Sequence, residues 1–152
     1  MITVTIDTSD LTRKLEDFPE ALARAQQNAL KVIGNVVKNH TTDAFTHPEY
    51  RPSPWAPRKP SKRDDGHKLL IKSGDLQQNF RSVVTGPDTV VVGTKVEYAG
   101  YHQFGTKHMP ARPFFPIDEH GQLTPTVQRD IKDNVEAIYK KEIDKVFGNG
   151  GG

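Results

Sequence analysis

A proline-rich segment in the middle of the chain most constrains the fold. Residues 51–68, RPSPWAPRKPSKRDDGHK, contain four prolines and almost no apolar periodicity. Proline lacks the backbone N–H that helix interiors and central strands require, so neither element can form here. The segment therefore predicts a long loop, a mobile basic arm that separates two structured parts of the chain. Loops of this length in compact domains are often functional or disordered.

The same region concentrates positive charge. Arg51–Lys72 holds seven basic residues against Asp64 and Asp65, a net charge of +5. Because the whole chain carries +2, the remainder carries −3. Basic side chains neutralise phosphates, and rings such as those of Tyr50 and Trp55 stack on bases. This segment is therefore either a solvated loop or a DNA-binding segment. Non-specific contact with DNA is favoured over sequence-specific binding.

The N-terminal third predicts a strand and two helices. ITVTID alternates apolar residues with threonine, the period of a half-buried strand. From about Ser9 to Phe45, apolar residues recur every three or four positions, which indicates helix. Proline is tolerated mainly in a first turn, so we predict a short helix before Pro19 and a longer, alanine-rich helix after it.

The part after the basic segment predicts short elements. SGDLQQNF indicates a short helix capped by Ser73, and FRSVVT and TVVVGT indicate an antiparallel hairpin around the turn GPD. VEYAGYHQFG fits one or two helical turns ended by Gly105. RPFFPI predicts a short edge strand, because Pro113 and Pro116 cannot donate to a ladder.

The C-terminal part predicts a long helix. Thr124 caps it, Pro125 lies in its first turn, Gly148 ends it, and apolar residues form a stripe from Val127 to Phe147. Helices and strands come in separate groups, so the predicted fold class is α+β. We expect a small antiparallel sheet packed against a long N-terminal helix and a C-terminal helix, with the long basic loop. One domain would cover residues 1–148, followed by a flexible glycine tail at 149–152.

The sequence contains no signal for disulfides or for a membrane. It has no cysteine, which excludes a disulfide framework and a thiolate zinc site. No apolar run reaches membrane-spanning length, and the N-terminus lacks the regions of a signal peptide. We expect a soluble intracellular product without membrane contact.

The stretch YAGYHQFGTKHMPARPFF, Tyr98–Phe115, combines aromatic residues, histidines, glycines and prolines. His102 and His108 are candidate metal ligands, and further candidates elsewhere in the chain are His40, His47, His67, Asp118, Glu119 and His120. The spacing of His102 and His108 lacks the i, i+4 repeat that places two histidines on one helical face. No phosphate-binding loop, nucleophile elbow or local catalytic set is present. The sequence therefore predicts no enzyme, metal, cofactor or small-molecule substrate.

Two structural interpretations of this stretch stay open. Tyr98, Tyr101 and Phe104 crowd one short turn, which favours a buried corner that closes the core. The other interpretation is a subunit contact, where tyrosine, phenylalanine and arginine are enriched. Arg112 between prolines would bind a carboxylate or the last carbonyls of a helix. The residues assigned to a corner or a subunit contact are Tyr98, Tyr101, His102, Phe104, Gly105, Pro110, Arg112 and Phe114.

Several motifs resemble one known family. YAGYHQFGT followed by MPARPFF resembles the hallmark of the phage virion morphogenesis family, the tail-completion proteins of tailed phages and Mu-like prophages, and is similar to head-tail joining proteins of the neck. WAPRKPSK resembles the family's tryptophan-and-basic loop, and LLIKSGDLQQNF resembles its L-x-x-[TS]-G-x-L-x-x-[SN]-[FI] segment. The resemblance covers Trp55 to Phe115. Lys72-Ser73 departs from the acid and threonine that are commoner in the family.

The resemblance implies a non-enzymatic assembly protein of the virion tail or neck, made in the host bacterial cytoplasm. It implies tail completion and head-tail joining by a ring of identical subunits around the DNA channel, in contact with neighbouring neck and tail proteins. Contact with DNA in the channel would be non-specific. The residues assigned to an arm that meets a neighbour or DNA are Trp55, Arg58, Lys59, Lys62 and Arg63.

Overall fold

The computed structural model describes residues 2–4, 8–57 and 75–148, with side chains described for 8–57 and 76–148. Within these ranges the chain forms a three-stranded sheet, five α-helices and a 3-10 turn. In chain order the elements are β1 (Ile2–Val4), α1 (Ser9–Lys14), α2 (Pro19–Asp43), the 3-10 turn (Pro48–Tyr50), α3 (Asp75–Gln78), β2 (Phe80–Val84), β3 (Val90–Thr94), α4 (Ala99–Phe104) and α5 (Pro125–Phe147). The predicted α+β fold class is confirmed.

Pro19 divides the N-terminal helical region as predicted. α1 ends at Lys14, and in the tight connection the Phe18 amide donates to the Leu15 carbonyl at 2.9 Å. Pro19 is the first residue of α2, where a missing N–H costs little because first-turn amides have no intrahelical partner. Strong helix formers, above all alanine, then continue α2 for 25 residues.

The three strands form one antiparallel sheet in the order β1-β3-β2. In this register Val92 of β3 pairs with Ile2 of β1 on one side and with Ser82 of β2 on the other. α2 packs on the sheet so closely that a Cβ atom at Gly34 would overlap the Ser82 hydroxyl. Glycine at this position therefore permits the close approach of helix and sheet.

α5 packs along α2 and completes the helical layer. Its buried face consists of Val127, Ile131, Val135, Tyr139 and Glu142. Two polar pairs join the helices: His40 Nε2 lies 2.6 Å from Asp130 Oδ2, and Arg24 Nη2 lies 3.3 Å from Glu142 Oε2. Most of the predicted stripe is confirmed, but Phe147 is exposed. Thr124 occupies the N-cap position without the predicted side-chain capping bond.

An aromatic cluster lies where α2 ends. The ring of Phe45 stacks on that of Phe114 with centroids 5.4 Å apart, and both contact Phe80 at the start of β2. Phe115 also packs against Phe80, with centroids 5.5 Å apart. These four side chains are buried. The cluster joins the segment after α4 to the sheet and to the helical layer.

The segment RPFFPI does not form the predicted edge strand. Its backbone is irregular, and Ile117 makes an isolated bridge with Leu123. A strand would send the consecutive side chains of Phe114 and Phe115 to opposite faces of the sheet. Both are buried here, and their amides bond a side chain rather than a neighbouring strand.

Other sequence predictions have mixed outcomes. The hairpin is confirmed, with the Thr85 amide donating to the Thr89 carbonyl at 3.0 Å in its turn. The predictions for the basic arm from residue 58 to 68, for the Ser73 cap and for the glycine tail at 149–152 lie outside the described residues. No helix in the described ranges is long and apolar enough to cross a membrane.

Candidate subunit-contact surface

α4 is a six-residue helix whose end depends on Gly105. Gly105 has a φ of 73°, in the left-handed region that favours glycine. A Cβ atom there would also lie 2.7 Å from the Ala111 amide nitrogen. Beyond the turn the chain returns to the helix, and the Arg112 amide donates to the His102 carbonyl at 2.7 Å. Both the backbone angle and the space around it therefore require glycine, as the sequence predicts.

Gln103 attaches the inner face of α4 to the core. The buried Gln103 Oε1 accepts hydrogen bonds from two consecutive amides, those of Phe114 at 2.9 Å and Phe115 at 3.1 Å. Ala99, one turn earlier on the same face, is buried as well. No sequence motif predicts this role of Gln103. Its one sequence signal is the i, i+4 spacing from Ala99, which marks the face of α4 that a short helix would bury.

The outer face of α4 carries exposed aromatic rings. Tyr98, Tyr101 and Phe104 are 41%, 60% and 77% exposed, and we call these three residues the aromatic surface. The interpretation of Phe104 and Tyr101 as a buried corner is therefore wrong. It holds instead for Phe114, which is fully buried. A six-residue helix has room for one buried face, and Ala99 and Gln103 occupy it, so the tyrosines and Phe104 point outward.

A groove beside β2 continues the aromatic surface. Tyr98 lines it together with Arg81 and Val83 of β2 and Lys95 of the segment that follows β3. Val83 is 56% exposed and lies on the face of the sheet opposite α2. The apolar area of α4 thus extends towards the edge of the sheet, and basic side chains border it.

His102 lies between the two faces of α4. Its ring and the Tyr98 ring are perpendicular, with centroids 5.7 Å apart. Its Nδ1 is buried without a hydrogen-bond partner among the described residues. Burial lowers the pKa of His102 from its ordinary value, and the positive charge of Arg112 lowers it further. The imidazole is therefore neutral at neutral pH and acts as a packing group under Tyr98.

Arg112 binds the start of the loop that follows Trp55. Its Nε donates to the Ala56 carbonyl at 3.0 Å and its Nη2 to the Pro57 carbonyl at 3.2 Å. The sequence predicted a carboxylate or helix carbonyls as partners, and that prediction is wrong, because loop carbonyls lie closer to the guanidinium. Arg112 therefore holds the chain entering residue 58 beside α4, whereas Pro110 is exposed in the return segment.

Trp55 and Arg51 are structural residues. Trp55 is buried, its Nε1 donates to the Pro113 carbonyl at 2.7 Å, and its ring meets Phe45 edge-on. Arg51 lies over the Trp55 ring, with Cζ 3.7 Å from the centroid, and its Nε donates to the Ala44 carbonyl at 2.6 Å. The predicted stacking of Trp55 on a base is therefore wrong, because the ring is buried and Arg51 already lies over it. Arg58, Lys59, Lys62 and Arg63 lie outside the described residues.

The histidines of the described ranges do not gather at one site. No three histidine, aspartate or glutamate side chains converge there into a group that could hold a metal ion. Asp118 instead accepts the amides of His120 and Gln122 at its Oδ1, and these backbone bonds lower the pKa of Asp118. The candidate ligands at 118–120 therefore form a turn.

The class of protein follows from these observations. A small α+β domain that holds exposed tyrosine and phenylalanine on a firmly anchored helix is typical of proteins that act by contact with other chains.

The chain belongs to the phage virion morphogenesis family, whose sequence model matches residues 6–138. The family resemblance is therefore confirmed, and with it a role in assembly of the phage virion. The chain is similar to the Mu-like prophage FluMu G protein 1 of Haemophilus influenzae, with 38% identity over 56 residues. That match covers 37% of this chain and spans 38% of the relative's length. No solved structure matches the chain.

Proposed function

We propose that this protein completes phage tails and joins them to heads as one subunit of a ring, without enzymatic chemistry. Membership of the virion morphogenesis family and similarity to a Mu-like prophage G protein support the proposal. The proposed location is the tail or neck of the particle, reached from the host bacterial cytoplasm. Its neighbours are further copies of the chain and other neck and tail proteins.

The aromatic surface is the observation that carries this proposal. Tyrosine and phenylalanine are enriched where protein chains meet, and a few such residues supply most of the binding energy. Gln103 and Gly105 hold α4 in place before any partner binds. A preorganised surface loses little conformational entropy on association, which favours stable assembly.

The proposal is tested by deleting the gene from its phage or prophage and examining induced lysates by electron microscopy. We expect separate heads and tails, and complete particles when the protein is added back. Add-back of Phe104→Asp should fail, whereas Phe104→Tyr should succeed because it keeps the ring. Both variants should fold normally, since Phe104 is exposed. Complete infectious particles from the deletion strain would refute the proposed function.

Contact with DNA through the basic segment is a second candidate. The charge of +5 on residues 51–72 supports it. Trp55 is buried and Arg51 bonds the Ala44 carbonyl, so neither side chain is available to DNA. We therefore assign the contact to the basic residues of the predicted arm, Arg58, Lys59, Lys62 and Arg63. Replacing these four residues by glutamine should flatten the dependence of DNA affinity on salt by about 0.9 in log-log slope for each phosphate that is no longer neutralised. A matched control replaces four exposed lysines on the helices, Lys31, Lys132, Lys140 and Lys141. Equal slopes in both variants would rule out the contact.

A further inference from the structure

The exposed large hydrophobic side chains of the described ranges fall into two groups. One comprises the aromatic surface with Val83, which lines the same groove as Tyr98. The other comprises Phe18 and Phe147, which are 38% and 60% exposed and contact each other edge to face at 5.3 Å. We call Phe18 and Phe147 the phenylalanine pair. The large hydrophobic residues left in solvent are thus concentrated at two sites.

The two sites lie at opposite ends of α2. Phe18 directly precedes the first residue of α2. The aromatic surface lies at the other end, because Gln103 of α4 bonds Phe114 and Phe115, and Phe114 stacks on Phe45 just after α2. A helix of 25 residues is about 37 Å long. The two sites therefore cannot cover each other within one copy of the chain.

The charges around the two sites are opposite in sign. Within three residues of Phe18 or Phe147 lie four acidic residues, namely Glu16, Asp17, Glu20 and Asp144, against one basic residue, Lys145. Lys145 Nζ already lies 3.7 Å from Glu142 Oε1. Near the aromatic surface, Lys95 and Lys107 outnumber Glu97, and Arg81 adds a further positive charge in the groove. An acidic rim around one apolar site thus matches a basic rim around the other.

We propose that these two sites are the two halves of one contact between copies of this chain. The aromatic surface of one copy packs on the phenylalanine pair of the next, and the basic rim faces the acidic rim. Because the halves differ, the contact is head to tail, and a pair of joined copies keeps one free site at each end. This proposal rests on the assembly role proposed above, and it identifies the two surfaces through which copies of the chain would join.

The absence of cysteine from the chain permits a direct test by cross-linking. Lys107→Cys places a thiol beside the aromatic surface, and Glu20→Cys places one beside the phenylalanine pair; both positions are exposed. The purified variants are treated with a short bis-maleimide, alone and mixed, at high protein concentration and again in lysates of assembling phage. Asp133→Cys, on an exposed part of α5, is the matched control.

We expect a covalent dimer from the mixture, monomers from each variant alone, and a ladder of oligomers from the chain that carries both cysteines. Lys107→Glu should weaken the contact about two- to fivefold, as expected for a rim charge. If Lys107 and Glu20 face each other, the chain that carries both Lys107→Glu and Glu20→Lys should regain affinity, because the swapped charges attract again.

Dimers from Lys107→Cys alone would show a symmetric contact and overturn the proposal. So would cross-links to other phage proteins only, cross-links equal to those of Asp133→Cys, or no cross-links in both settings. Any of these results would refute the contact. If the deletion strain still gave separate heads and tails, the proposed function would remain supported.

Discussion

Trp55 and Phe104 both lie near the segment 113–115, but one of the two rings is buried and the other is exposed. Trp55 bonds the carbonyl of Pro113, and Gln103, next to Phe104, bonds the amides of Phe114 and Phe115. Yet Trp55 is buried, whereas Phe104 is 77% exposed. The segment therefore has an aromatic ring directed into the core on one side and aromatic rings directed into solvent on the other.

Trp55 can be buried because its polar group has a partner, whereas a polar residue takes the inner face of α4 and leaves the rings outside. Trp55 can be buried because its N–H finds an acceptor and because Arg51 covers its outer face. On α4 the buried face is occupied by Gln103, whose side chain satisfies two backbone amides that would otherwise be unpaired. The polar residue is inside and the apolar residues are outside, and this inversion leaves the aromatic surface available for a partner.

The largest effect should come from Trp55→Ala. We expect the free energy of unfolding to fall by about 3 to 5 kcal/mol, because the variant removes a large buried ring together with its hydrogen bond. Urea titration measures the change. Trp55→Phe keeps much of the packing and should cost clearly less. A decrease below about 1 kcal/mol for the alanine variant would contradict the burial that distinguishes Trp55 from Phe104.

Gln103→Leu should be next in size. The variant keeps the volume of the side chain but leaves the amides of Phe114 and Phe115 without an acceptor, and each unpaired amide costs about 1 to 3 kcal/mol. We expect a total decrease of at least about 2 kcal/mol in unfolding free energy. Gln103→Glu retains an acceptor oxygen and serves as the control. A leucine variant as stable as the parent protein would mean that Gln103 does not anchor α4.

Phe104→Ala tests whether the exposed ring contributes to assembly rather than to stability. Because the ring is exposed, we expect the unfolding free energy to stay within about 0.5 kcal/mol of the parent value. The same variant should be defective in the particle assembly assay. A thermal scan and an add-back experiment on one preparation check both statements. If Phe104→Ala destabilised the protein as much as Trp55→Ala, the Phe104 ring would have to be buried, and the proposed contact would lose its basis.

The smallest effect concerns the pH dependence of stability at His102. Its pKa in the folded protein lies below the ordinary value of 6.5, so the unfolded chain binds protons first as pH falls. Folding stability should therefore be highest above pH 6.5 and decrease as pH falls towards the folded pKa. Melting temperatures measured from pH 8 to pH 5 should decline less steeply for His102→Gln. Parallel curves for the two proteins would show that His102 does not contribute.

The sequence predicts elements whose signals are local and misses contacts between distant segments. The helix break at Pro19, the hairpin and the end of α4 at Gly105 each depend on the backbone preferences of one or two residues. Gln103, the His40–Asp130 pair and the stacking of Arg51 on Trp55 depend on which segments meet in space. From the sequence, burial was one of two interpretations of Phe104, and Trp55 was assigned to the basic arm, whereas in the structure Phe104 is exposed and Trp55 is buried. The family resemblance succeeded because it compared whole motifs.

The anchoring of α4 also bears on when a newly made chain can join an assembly. Six residues are far fewer than the roughly 12 to 15 that an isolated helix needs in water. α4 therefore depends on the bonds from Gln103 to residues eleven and twelve positions further along the chain. An incompletely folded copy would present no ordered rings to a neighbour. The proposed contact would therefore form only between fully folded subunits, and incompletely folded chains would stay out of the growing particle.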